Sequence, residues 1–278
     1  GYKGLMEENI KKQDFHHAFI YGEKLFSLNP KIDKLYETLI NIIAKTRNWN
    51  QAIFITDKAY ANKIIKKETA NENKSIALFE IAKIKKDSDI NEALRLIEKA
   101  ISMRKYFPPY IKLYLEILFK NNQLNKIQKV LKKYWNEIPS SALRLSITDI
   151  LKENKINEIS FIKNIISKNQ NSEESKKLLI DFAIYLNQWS LAREQIKGLI
   201  GSNPSREICF FMSEIELGEH NDIQKSEGWK LRANNAELDY YWVCKITNNP
   251  QKNWSALSDN GHFNSLEWRQ PKMLSTIQ

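Results

Sequence analysis

Trp189-Ser-Leu-Ala-Arg-Glu-Gln-Ile-Lys-Gly-Leu-Ile-Gly-Ser-Asn-Pro204 is the stretch on which the reading of this chain turns. Ala192 stands twelve residues before Pro204, and the same interval separates Ala18 from Pro30 and Ile127 from Pro139. A second interval of 34 residues runs from Ala18 to Ala52 and from Ala93 to Ile127. Trp49 and Trp189 each stand three residues before their alanine. A period near 34, with a small or aliphatic residue in the second half and a closing proline, describes a unit of two helices. Such a unit cannot cover its own apolar face, so successive units must stack into a solenoid.

The composition agrees. Of 278 residues, 42% are apolar and 27% charged, which excludes a disordered chain. Only 8 Gly and 7 Pro occur, too few for a turn-rich β protein. The pattern resembles the tetratricopeptide repeat (TPR). The resulting expectation is all-α, a right-handed superhelix of about six helix pairs over 1–235. The units run over about 2–31, 33–63, 75–107, 108–139, 141–172 and 173–204, with a capping pair at 205–218 and 222–234. The polar stretch 63–74 reads as a longer loop or an extended helix end. Phe161 falls near the small-residue position of the fifth unit and predicts looser helix contact there. Beyond 235 the texture changes. Trp242, Trp254 and Trp268, the turn signals Asn248-Asn249-Pro250 and Asp259-Asn260-Gly261, and the strand-like Tyr240-Tyr241-Trp242-Val243 predict a small irregular or β-hairpin module over 236–271. It is expected to pack on the last helices, followed by a frayed tail at 272–278.

The net charge is +10, densest at 104–135, where Arg104, Lys105, Lys112, Lys120, Lys126, Lys129, Lys132 and Lys133 face a single Glu116. Aromatic residues interleave there: Tyr106, Phe107, Tyr110, Tyr114, Phe119, Tyr134 and Trp135. One reading is a surface for nucleic acid or anionic lipid. The other, which base rates favour, is a solvated lysine face over buried aromatics. Two cysteines, Cys209 and Cys244, are too few for a disulfide framework. No apolar run reaches the roughly 20 residues that span a bilayer. The chain opens with Gly1 rather than Met, as a piece of a longer protein would.

No phosphate-binding loop, His-Glu-x-x-His or Gly-x-Ser-x-Gly motif occurs, and an enzyme is the least favoured class. His16 and His17 are adjacent on a helix and do not face one another. His220, His262 and Cys244 are the available axial heme ligands, although packing is the ordinary role of such residues. Cys244-x-x-Thr247, followed by Trp254-x-Ala256-x-x-Asp259, echoes a rubredoxin-like zinc knuckle with three ligands replaced. Zinc needs about four donors, so no metal is expected, with tryptophans supplying core instead. In a TPR stack the first helix of each unit lines a concave groove. Helix spacing places Lys34, Glu37 and Asn41 there in unit two, Lys112, Glu116 and Lys120 in unit four, and Lys177 and Asp181 in unit six. That mix suits a polar peptide or protein partner, against the alternative of a merely solvated face.

The order of motifs carries a resemblance. Asn187-Gln-Trp-Ser-Leu-Ala192, Ile200-Gly-Ser-Asn-Pro204 and Met212-Ser-Glu-Ile-Glu216 precede Tyr241-Trp-Val-Cys244, Trp254-Ser-Ala-Leu-Ser258 and Gly261-His-Phe-Asn-Ser-Leu-Glu-Trp268. This succession is similar to the alphaproteobacterial HemY-type TPR proteins associated with heme biosynthesis, and the tryptophan-rich block is its specific part. The resemblance implies a scaffold tethered to the bacterial inner membrane by helices preceding the repeats, with the repeats facing the cytoplasm. It implies partners among heme-pathway enzymes and offers no catalytic residues to transfer. The absence of Gly-x-Gly-x-x-Gly separates it from the flavin-dependent oxidase of the same name. Alternatives that remain are a direct heme or porphyrin carrier and an RNA-binding helical repeat, the latter disfavoured because no base-reading pair recurs per unit.

Overall fold

The computed structural model describes residues 1–272; the tail expected from 272 lies almost wholly outside them. The described chain is helical apart from one small sheet. Its helices come in pairs: α1 (Tyr2–Lys11) with α2 (Phe15–Leu28), α3 (Leu35–Thr46) with α4 (Trp49–Ala61), and α5 (Lys67–Lys85) with α6 (Ile90–Met103). Then follow α7 (Pro108–Lys120) with α8 (Leu124–Glu137), α9 (Ser141–Glu153) with α10 (Ile159–Ile166), α11 (Glu173–Tyr185) with α12 (Trp189–Ile196), and α13 (Arg206–His220) with α14 (Ile223–Asn234). Pairing of this kind is the architecture the spacing predicts.

One local device recurs between the two helices of a pair. The residue ahead of the second helix's cap is left-handed at Gln13, Arg47, Asn122, Asn187 and Asn221, with φ between 52° and 59°. At Arg47 the chain closes α3 by two bonds, Arg47 N–H to the Ala44 carbonyl and Asn48 N–H to the Ile43 carbonyl. This is the Schellman arrangement, here built without glycine. Asn48 then caps α4 by accepting from the Gln51 N–H, and Asp14, Asp89 and Asp222 do the same for α2, α6 and α14. Four positions in from each cap sits the small or aliphatic residue of the repeat. Ala18, Ala93, Ile127, Ile162 and Ala192 are wholly buried, and Ala52 and Ser226 nearly so. In the fifth pair this residue is Ile162; Phe161 is one place out of register and half-exposed.

The stretch 63–74 takes the second of its two readings, an extended helix end: it is mainly the start of α5, because only five residues separate α4 from Lys67. Its polar residues sit on a helix that buries Ala70, Asn73 and Ser75. Pro204 does not close α12, which stops at Ile196. Pro139 and Pro204 instead precede Ser140 and Ser205, whose hydroxyls cap α9 and α13. Proline favours the extended backbone that a cap needs before it.

A further change concerns the C-terminal module. The chain forms two compact units, one of Gly1–Tyr110 with Trp242–Glu267, the other of Ile111–Tyr241 with the described residues from Trp268. The module is a three-stranded sheet in the order β2-β1-β3, from β1 (Tyr241–Cys244), β2 (Pro250–Gln251) and β3 (Leu266–Arg269). β1 and β2 are antiparallel, with Trp242 opposite Gln251 and Val243 opposite Pro250. The turns are tied by Asn260, whose side-chain oxygen accepts from Thr247 Oγ1 and Asn249 Nδ2, each at 3.0 Å. Residues 242–267 of the module pack on the early helices, while 236–241 and the described residues from Trp268 belong to the second unit, where Trp268 Nε1 donates to Ser141 Oγ at 2.9 Å. Trp254, Ala256, Leu257 and Phe263 join the same core as Leu39, Ile43, Ala52 and Ile76. Trp254 stands edge-on to Phe79 at 5.4 Å and to Phe107 at 5.1 Å. Such aromatic edges each add roughly 0.5–1.5 kcal/mol beyond area burial, which fixes the module where tryptophan meets aromatic.

In the second unit, α9, α11 and α13 lie side by side and α14 covers α13. A separate core holds Ile180, Ala183, Ala192, Ile208 and Ile215.

Candidate functional site

The first helix of each pair carries the residues expected to line a groove, and the two units differ there. In the first unit that face is covered by the chain's own segment 256–264. Asn41 on α3 accepts the Phe263 N–H through Oδ1 at 2.9 Å. The Asn264 side-chain amide donates to Glu72 Oε2 and Asn73 Oδ1 on α5, each at 3.3 Å. Glu80, also on α5, accepts the Ala256 N–H. Asn73 reaches back to Tyr36 Oη at 2.8 Å, and Tyr36 to Thr56 Oγ1 at 3.1 Å. The buried chain of donors therefore runs from α4 to the module. Four carboxylate or amide side chains, Asn41, Glu72, Asn73 and Glu80, bind main-chain and amide protons of a non-helical segment, as a groove binds a peptide. Asn41, expected to meet a partner, is thus committed within the chain. Lys34 and Glu37 remain exposed, Lys34 in a left-handed conformation at the start of α3.

The second unit presents a ladder of ion pairs in the same place. Lys112 on α7 meets Asp149 on α9 at 3.6 Å, and one turn on Lys152 meets Asp181 on α11 at 2.7 Å. Glu214 on α13 is next, held above the usual carboxylate range by desolvation and then by Asp181, against the pull of Lys152. Lys152 also lies 5.4 Å from the Tyr185 ring. Exposed apolar side chains accompany the ladder: Leu145, Tyr185, Phe210 and Leu217, each 36–43% exposed. Of the residues expected to line this groove, Lys112 and Asp181 are brought together by the ladder, and Glu116 and Lys120 lie on the same helix as Lys112, half-buried and exposed.

Lys177 is different. It is buried, with its ammonium 2.7 Å from Glu173, 3.5 Å from Glu207 and 3.7 Å from Glu174. Arg144, 1% exposed, donates to Glu174 at 2.9 Å and to Glu207. These groups lock α9, α11 and α13 together and are unavailable to a partner. Burial works against the Lys177 charge, but its carboxylate neighbours outweigh burial and keep the ammonium protonated. Arg144 was missed in the sequence, although it stands 30 residues from Glu174, as Lys152 stands 29 from Asp181. Charge recurring near the repeat period is the signal that could have found it.

The basic stretch does not act as one surface. The Arg104 guanidinium lies 3.6 Å over the Phe107 ring, and Lys112 is paired. Lys105, Lys126, Lys129 and Lys133 are exposed, and Lys132 donates to Asn164 at 2.9 Å. Most of the interleaved aromatics are core: Phe107, Tyr110, Tyr114, Tyr134 and Trp135 are all under 9% exposed, while Tyr106 and Phe119 are half-buried.

Cys244 and His262 come together in the module. Cys244 Sγ lies 3.4 Å from Ser265 Oγ, which donates to the His262 carbonyl at 2.9 Å. Cys244 is 1% exposed. His220 is exposed at the end of α13, 3.4 Å from Glu219. Asp259 is exposed and Thr247 bonds Asn260. Among the described residues no three His, Cys, Asp or Glu side chains converge as a metal site. No described helix is long and apolar enough to cross a membrane.

No protein-family profile matches the chain, and no curated protein matches it. Several solved structures are similar to it at low identity. A tetratricopeptide repeat protein from Parabacteroides merdae is 13% identical over 85% of this chain and 93% of its own, with a TM-score of 0.39. The human IFIT1 dimer with m7Gppp-AAAA is 14% identical over 81% of this chain and 56% of its own, at 0.36. The TPR2AB-domain:pHSP90 complex of yeast Sti1 is 12% identical over 84% of this chain and 97% of its own, at 0.25. The fold assignment rests on the helix pairing described above.

Proposed function

We propose that this protein is a non-enzymatic scaffold that holds a protein partner on the first-helix face of its second unit. The observation that supports this reading is the contrast between the units. The corresponding face of the first unit carries the module, while that of the second leaves Leu145, Tyr185, Phe210 and Leu217 exposed beside the Lys112–Asp149 and Lys152–Asp181 pairs. Apolar groups flanked by ionic ones suit an interface with a hydrophobic centre and a polar rim. The specific setting, heme biosynthesis at a bacterial inner membrane, is proposed on the resemblance of the tryptophan-rich block alone. Crosslinking and pull-down from membranes with the full-length protein tests both parts. Leu145→Asp with Phe210→Asp should abolish recovery of the partner while the helical circular dichroism is unchanged. Undiminished recovery removes the face; recovery of partners unrelated to heme synthesis removes the setting.

A further inference from the structure

We propose that the outer face of α8 is a docking surface for anionic lipid. The inner side of α8 buries Ile127, Leu131, Tyr134 and Trp135. Opposite it, helical spacing aligns Lys126, Lys129 and Lys133, all exposed, with Lys132 at the margin beside Asn164 of α10. The other exposed residues of the helix are Leu124 and Asn125 in its first turn and one acidic residue, Glu137, in its last. Three of these lysines stand exposed within two turns of one helix. The stems are well supported, since the Lys126 ammonium lies 5.4 Å from the Tyr114 ring and that of Lys133 5.7 Å from the Tyr134 ring.

Polyanions of two kinds could meet such a face, and the aromatics decide between them. Single-stranded nucleic acid is held by bases stacked on exposed rings. Every ring near this face is buried: Tyr114 is 6% exposed, Tyr134 8% and Trp135 not at all. Without a stacking platform, the surface offers only charge at regular spacing. That matches a plane of headgroups, which four to eight clustered basic residues recognise. Docking stands apart from the partner face, so either can fail alone.

Co-sedimentation of the full chain with vesicles tests this. Wild type should bind vesicles of phosphatidylcholine with roughly one-third phosphatidylglycerol and ignore pure phosphatidylcholine, and binding should vanish between about 0.05 M and 0.5 M salt. Lys129→Gln and Lys133→Gln should each lower the partition coefficient about fivefold, while Lys→Arg at both sites preserves it. Both lysines are exposed, so an unchanged thermal melt accompanies the loss. Equal binding to neutral vesicles, or wild-type binding by the double Gln variant, overturns the proposal. So does an RNA duplex that binds the same lysines more tightly than the anionic vesicles.

Discussion

Single residues govern the turns and the module clamp. A non-glycine residue in the left-handed region costs roughly 1–2 kcal/mol, part of which glycine would return as unfolded-state entropy. Gln13 is such a residue, exposed and ahead of the α2 cap. Gln13→Gly should therefore raise stability by about 0.5–1 kcal/mol, read as a shift in the urea midpoint; a lower midpoint would show that the Gln side chain contributes. Glu80 behaves oppositely. Burial holds its carboxyl above the usual range, while Lys83, Arg47 and the Ala256 N–H pull it partly back. A raised carboxyl penalises the folded state once ionised. The penalty is absent below the unfolded value, grows as pH rises from there to the raised folded value, and is complete above it. Glu80→Gln keeps an acceptor for Ala256 and should be as stable as wild type or more so at pH 7, the difference closing on acidification. Glu80→Leu strands that N–H and should cost about 1–3 kcal/mol. Equal losses for both variants would refute the account.

At the scale of elements, α9, α11 and α13 are joined by buried charge as much as by apolar packing. Arg144 serves two helices at once through Glu174 and Glu207. Removing one member of a buried cluster costs more than the pair was worth, because it strands the opposite charge. Arg144→Met should destabilise the second unit by about 3–5 kcal/mol in denaturant titration. Restoring most of that loss by Glu174→Gln and Glu207→Gln in the same chain would confirm the cause. The near-repeat spacing of these charges made the network legible in principle. Period reading looks for apolar and small residues, and so passed over it.

Across the whole molecule, the decisive contact is between Phe263 and Asn41, 222 residues apart in sequence. It makes the segment 242–267 a component of the first unit. Trp254→Ala should accordingly destabilise by about 3–5 kcal/mol. It should also speed amide exchange in α3 and α5 while leaving α13 protected. Faster exchange in α13 with α3 unchanged would place the module elsewhere.

Helix pairing and the buried small residue of most second helices were set by the sequence, because they follow from local periodicity and from caps within a few residues. The burial of the aromatics at 107–135 was legible for the same reason, since their spacing places them on inner faces. Only the tertiary structure decided that Asn41 meets the chain's own module, that Lys177 is sealed among glutamates, and that the open face belongs to the second unit. Those outcomes depend on which distant segments meet. Hydrogen bonds and ion pairs between segments leave no period in the chain, whereas a helix writes its buried face into the sequence every three to four residues.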